Sequence, residues 1–156
     1  MGLFDKLLRQ DTNEIENDQT DKTAVDNWAR TGNQLYNEGE SLLKARNREE
    51  ALKKFSAAID NYQQGLKISK KDPELWFKKA RCLDESAQIS KKNKQFENAI
   101  NYYRGSLEAY ENAIKFNGSG KETLTTMTAQ MARIVCVMQI NEIECIIEAR
   151  AGSRKR

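Results

Sequence analysis

The side chains that most often perform chemistry in enzymes are sparse in this chain of 156 residues. Histidine is absent, so the commonest general base and metal ligand is missing. Cys82, Cys136 and Cys145 are far apart in helix-patterned sequence, which favours reduced thiols over a disulfide framework. The 23 acidic residues have the spacing of helix-surface charges, and no pair of them marks a pocket. We therefore expect no enzyme activity, no metal and no cofactor.

Glycine offers no alternative chemistry, because the eight glycines never form a phosphate-binding loop. The nearest stretch is Gly118-Ser119-Gly120-Lys121, which lacks the preceding strand and the spacing of such a loop. It is better interpreted as a turn into a helix. Ser119 and Glu122, three residues apart, would form a capping box at the start of that helix.

The composition is that of a globular domain, with 38% apolar and 31% charged residues. A net charge of +3 is small, so nucleic acid is an improbable partner. The sequence has no apolar run of about 18 residues that could span a membrane and no export signal. We expect one cytoplasmic domain.

An internal repeat of 48 residues decides the fold class. Without any gap, Trp28 aligns with Trp76, Leu35 with Leu83 and Tyr62 with Tyr110. The next period places Leu124 under Trp76 and Met131 under Leu83, so a third, incomplete copy begins near Lys121. Such a period is the mark of a repeat architecture.

Each copy contains two stretches of helical apolar spacing, which predict a helical hairpin. The first turn is predicted at Arg46-Asn47-Arg48 and the second at Asn93-Lys94-Gln95. Asp72 followed by Pro73 favours a helix start. The predicted helices begin at Ala24, Arg48, Pro73, Phe96 and Lys121, and the aromatic residues expected in the core are Trp28, Trp76, Phe55, Tyr103, Tyr62 and Tyr110.

These hairpins resemble tetratricopeptide repeats. The resemblance is carried by Trp28 with Gly32 and Ala51-x3-Phe55-x2-Ala58, and by Trp76 with Ala80 and Ala99-x3-Tyr103-x2-Ser106. Family repeats have about 34 residues, so both copies are longer than the pattern. The resemblance covers roughly residues 24–135 and implies an all-α, right-handed superhelix of two long hairpins followed by a long C-terminal helix.

The resemblance also implies a concave groove, lined by the first helix of each hairpin, that binds a peptide or a partner helix. On this basis we expect the chain to be a non-catalytic scaffold or adaptor. A cationic and amide-bearing set would grip a carboxylate of the partner, unless it is only an ordinary solvated face. The residues of this predicted site are Arg30, Asn33, Asn37, Lys78, Arg81 and Arg133.

The N-terminal segment has a composition of its own. Residues 1–10 predict an amphipathic helix whose apolar side is Leu3, Phe4, Leu7 and Leu8. This helix would dock weakly on a membrane surface, on a partner or on this protein's own array. Residues 11–23 are polar and acidic, which predicts a flexible linker before the repeat domain at 24–150. The alternative function is therefore a peripheral membrane adaptor.

The last predicted helix, about Lys121 to Arg150, is apolar nearly all round. It would either bury two sides against the preceding hairpin or pack against another chain as an assembly factor or homo-oligomer. The predicted oligomer seam consists of Val137, Ile140, Ile143 and Ile147. Residues 151–156 form a basic tail, either solvated or in contact with acidic lipid or nucleic acid.

Overall fold

The structure is a computed structural model that describes the backbone of residues 3–118 and 124–153 and the side chains of residues 20–118 and 125–152. Within that part of the chain there are five α-helices and no strand, which confirms the all-α prediction. The helices are α1 (Leu3–Lys44), α2 (Arg48–Ile68), α3 (Pro73–Lys92), α4 (Phe96–Phe116) and α5 (Leu124–Ser153).

Side-chain caps mark the starts of α2 and α3, whereas Gln95 at the start of α4 makes no side-chain capping bond. The predicted starts at Arg48, Pro73 and Phe96 are confirmed. The Asp72 carboxylate accepts hydrogen bonds from the backbone N–H groups of Glu74 and Leu75 at 2.9 and 3.0 Å. These bonds satisfy donors that would otherwise lack partners in the first helical turn. The predicted capping box of Ser119 and Glu122 lies outside the described residues.

The two hairpin turns have the same backbone geometry. Arg46 and Lys94, which are related by the 48-residue period, both adopt the left-handed conformation, with φ of 60° and 61°. In each turn the next N–H reaches back five residues to a carbonyl, Asn47 to Leu42 and Gln95 to Ser90, at 2.9 Å. These contacts close the C-termini of α1 and α3. The period found in the sequence is therefore also a period of the backbone.

The first helix differs from expectation. It runs unbroken from Leu3 to Lys44, where the sequence predicted a linker at 11–23 and a helix start at Ala24. The polar composition of that segment suggested a linker, but no proline or glycine lies between Leu3 and Gly32 to end the helix. Among the described side chains of α1, those packed on the core begin at Val25.

The helices pack in chain order, each against the next. In the described part of the chain α1 also contacts α3, and α3 contacts α5, whereas α2 and α4 do not touch. The first helices of successive hairpins therefore lie on one side. One core cluster forms among α1, α2 and α3 and a second among α3, α4 and α5. Trp76 packs against both.

Small residues face aromatic rings inside each hairpin. Gly32 lies against Tyr62 so closely that a Cβ atom would be 2.5 Å from a ring carbon, and Gly39 lies likewise against Phe55 at 2.7 Å. The predicted core aromatics Phe55, Tyr62, Tyr103 and Tyr110 are all buried. Trp28 is not, since it is 40% exposed. That prediction was wrong because no helix in the described chain covers the outer side of α1, whereas Trp76 lies between two hairpins.

Candidate partner-binding groove

A groove follows the side of the molecule shared by α1, α3 and α5. Its first cavity, about 300 Å³, lies between α1 and α3. Its second, about 430 Å³, lies among α3, the end of α4 and the start of α5. Lys78 and Arg81 of α3 line both cavities. We call the two neighbouring cavities together the α1–α3–α5 groove.

Arg81 is the fixed centre of the first cavity. Its Nη2 donates a hydrogen bond to the Tyr36 hydroxyl at 2.7 Å, and its guanidinium lies 4.7 Å from the centre of that ring. The Tyr36 hydroxyl donates in turn to Glu40 Oε1 at 2.8 Å, and Arg81 lies 3.7 Å from the same carboxylate. Burial and the Glu40 hydrogen bond raise the pKa of Tyr36 well above its usual value. The hydroxyl therefore stays protonated and holds the guanidinium in place.

Two asparagines supply amides to the same cavity. Asn33 and Asn37 lie one helical turn apart on α1, and both line the cavity. The buried Tyr62 donates its hydroxyl proton to Asn33 Oδ1 at 2.9 Å. With its oxygen engaged, the Asn33 amide presents its NH₂ group as a donor. Four of the six predicted site residues, Asn33, Asn37, Lys78 and Arg81, are thus brought together.

The remaining predicted cations lie apart. Arg30 lies on α1 beside a shallower depression and donates to the Asn27 side chain at 3.0 Å. Arg133 of α5 lies 3.9 Å from Glu111 of α4. Neither residue lines the two cavities of the α1–α3–α5 groove. The structure does not gather the six predicted residues into one cationic patch.

Nearby carboxylates compensate the cations of the groove. Lys78 forms an ion pair with Glu74 at 2.8 Å, and Glu40 approaches Arg81. Burial, followed by the charges of Asp84 and Glu40, raises the pKa of the Glu85 carboxyl on the same stretch of α3. The groove is therefore rich in hydrogen-bonding groups without a large excess of either charge.

Several residues that line the groove were not predicted from the sequence as groove residues, namely Tyr36, Glu40, Tyr62 and Glu74. Helical spacing offered a signal for two of them, because Tyr36 and Glu40 follow Asn33 by three and seven residues and so share its face. Tyr62 was assigned to the core alone. It does both, because its ring is buried and its hydroxyl reaches Asn33.

The predicted oligomer seam on α5 is wrong for most of its residues. Ile140 and Ile143 are buried in the cluster with α4, and Ile147 packs against that cluster. Only Val137 is exposed, at 43%. The reason is that α5 runs antiparallel to α4 along its length, with Arg104 reaching Glu144 at 3.3 Å and Arg150 lying 4.6 Å from the Phe96 ring centre. The large exposed residues form another stripe, the outer α5 face: Met127, Met131, Ile134, Val135 and Met138.

The predicted docking residues at the start of the chain, Leu3, Phe4, Leu7 and Leu8, belong to the α1 backbone, but their side chains lie outside the described residues. The end of the basic tail, 154–156, lies outside them too. None of the helices in the described residues combines the length and the apolar character needed to cross a membrane.

No protein-family model, curated protein or solved structure matches this chain. The tetratricopeptide resemblance therefore rests on the residues and their register. To these the structure adds an all-α architecture in which α1, α3 and α5 share one side.

Proposed function

We propose that this chain is a protein–protein interaction scaffold of tetratricopeptide-like architecture that binds a segment of another protein in the α1–α3–α5 groove. The observation that carries the proposal is the adjacency of the two cavities, which share Lys78 and Arg81 in their linings. Two adjacent open cavities in a row along α1, α3 and α5 suit an extended or helical polypeptide better than a compact small molecule.

The chemistry of the groove indicates how it would hold such a segment. Asn33 and Asn37 can donate to and accept from a peptide backbone, since an amide side chain matches the peptide group in its hydrogen bonding. Arg81 and Lys78 would add donors to a carbonyl or carboxylate. Because Glu40 and Glu74 already balance these cations, we expect binding to depend on hydrogen bonding and shape more than on net charge.

A paired substitution tests the groove. The variant Asn37→Ala/Lys78→Ala removes one amide and one cation that line the cavities. Peptides selected on the wild-type protein from a random display library should bind this variant about 10-fold or more weakly by fluorescence anisotropy, because each lost hydrogen bond to a bound peptide contributes about 1 kcal/mol.

The matched control is Lys53→Ala/Asn101→Ala, which removes the same two residue types from exposed positions of α2 and α4. This control should bind the selected peptides as the wild type does, and both variants should keep the wild-type circular dichroism. Equal binding by all three proteins would reject the groove as the binding site.

A further inference from the structure

The outer α5 face is a contiguous apolar surface. Its five residues are between 49% and 69% exposed. They follow helical spacing, so they form one stripe over about three turns. These exposed fractions amount to on the order of 500 Å² of apolar surface, which is near the upper end for a patch on a monomeric protein.

The 48-residue repeat relates the outer α5 face to a face of α3. Subtracting 48 residues maps Met131 onto Leu83 and Val135 onto Ala87 of α3. Ala87 is fully buried in the cluster formed with α4, and Leu83 packs against that cluster. The equivalent face of α3 therefore covers the second helix of its own hairpin. In the described part of the chain, no helix covers this face of α5.

The charge pattern permits a second copy of the same chain on this face. Among residues 125–141 the sole charged residue is Arg133, and it points to Glu111 of α4. Two outer α5 faces can thus approach without like-charge repulsion. Their pairing would bury about 1,000 Å² in total, which is about the minimum for a specific interface.

We propose that two copies of this chain associate through the outer α5 face, with the two α5 helices antiparallel. A two-fold axis near Ile134 and Val135 places Met131 of one copy opposite Met138 of the other. Parallel pairing would instead bring the two Glu142 side chains together, since Glu142 continues the same stripe. Glu142 is held by Lys91 of its own copy at 2.8 Å. The antiparallel arrangement keeps the two carboxylates apart and opposes the helix dipoles.

The first test is the mass in solution by sedimentation equilibrium over a range of concentrations. The wild type should sediment as a dimer. The variant Met131→Glu/Met138→Glu should weaken association on the order of 100-fold or more, because the dimer would bury unpaired carboxylates. The control Ser56→Glu/Asn101→Glu adds the same charge at exposed positions of α2 and α4 and should remain dimeric. A wild type that is monomeric at every concentration, or a dimer that persists in the Met131→Glu/Met138→Glu variant, would overturn the proposal.

A second test needs no disruptive substitution. Cys82 and Cys136 are buried and Cys145 is exposed, so Cys145→Ser removes the exposed thiol of the described residues. Adding Ile134→Cys in that background places a thiol beside the proposed axis. Mild oxidation should link the Ile134→Cys/Cys145→Ser protein into a covalent dimer, whereas the wild type, with its Cys145 thiols at opposite ends of the interface, should link far more slowly. Faster linking of the wild type than of the Ile134→Cys/Cys145→Ser protein would reject the antiparallel arrangement.

Discussion

The two hairpins share the 48-residue register, but they use different residues where their two helices come into contact. In the first, Gly32 and Gly39 of α1 meet the rings of Tyr62 and Phe55. In the second, the equivalent positions are Ala80 and Ala87, both fully buried. The first pair of helices therefore fits only residues without a side chain, whereas the second accepts a methyl group at both contacts. The two hairpins therefore share a register, but the residue types at each contact determine how closely the two helices of a hairpin approach.

A second difference concerns charge. The ring centre of Tyr36 in α1 lies 5.5 Å from that of Phe55, with the two rings tilted by 50°. Its counterpart in α3 is Asp84, a carboxylate whose pKa burial raises. The charge of Asp84 also contributes to the raised pKa of Tyr103 and Tyr110. One hairpin thus has an aromatic pair where the other holds a partly buried acid.

The largest expected effect comes from Phe55→Ala. Phe55 is fully buried, so the cavity should lower the free energy of unfolding by about 3 to 5 kcal/mol. Because repeat arrays are stabilised mainly between neighbours, amide hydrogen exchange should accelerate most in α1 and α2 and least in α5. A uniform loss of protection from α1 to α5 would show instead that both hairpins unfold as one unit.

A smaller loss is expected from Gly39→Ala, whose new methyl group would meet the immobile Phe55 ring at 2.7 Å. Overpacking should exceed the gain in helix propensity, for a net loss of about 1 to 2 kcal/mol by urea denaturation. Gly105→Ala is the control in the second hairpin, because its methyl group would lie 3.5 Å from Leu83, in ordinary contact. This control should stabilise the protein by about 0.5 to 1 kcal/mol. If both variants changed the free energy of unfolding in the same direction, the proposed difference in packing between the hairpins would be contradicted.

The smallest expected effect is a gain in stability, from Asp84→Asn. Since the pKa of Asp84 is raised, its ionisation costs stability as the pH rises through that pKa. Asp84→Asn avoids this cost and should be more stable at pH 7 by about 0.5 to 1 kcal/mol, with the difference vanishing near pH 3, where the carboxyl is protonated in both folded and unfolded chains. The Asp84 charge also helps to raise the pKa of Glu85, so the substitution should lower that pKa and add to the gain at pH 7. Thermal melts at the two pH values measure the difference, and Asp60→Asn on the exposed side of α2 should change neither.

Features fixed by local chemistry were predictable from the sequence. The starts of α2 and α3 follow from nearby caps, as the contacts of Asp72 illustrate, and the start of α4 follows from the 48-residue period. Asn33, Asn37, Lys78 and Arg81 were placed on one surface by helical spacing within each helix and by the tetratricopeptide resemblance, which implies that the first helices share a groove. Their carboxylate partners were not predicted, since Glu40 reaches Arg81 only once α1 packs beside α3.

The outer surface of α5 could not be predicted for a related reason. A helix that is apolar nearly all round carries no periodic signal to say which side is buried. The predicted seam used Ile140 and Ile143, which are the residues that α4 covers. Only the position of α4 distinguishes them from Met131 and Met138, and that position is a tertiary fact.

The unequal burial of the two tryptophans has a spectroscopic consequence. Trp28 is 40% exposed, whereas Trp76 packs against both core clusters and donates its indole N–H to the Lys70 carbonyl at 2.9 Å. An indole in water emits at longer wavelength and is open to collisional quenchers, while a shielded indole emits further to the blue. The native chain therefore contains one optical reporter at the open end of the first hairpin and a second, partly buried one at the junction between hairpins, and acrylamide should quench the first more strongly.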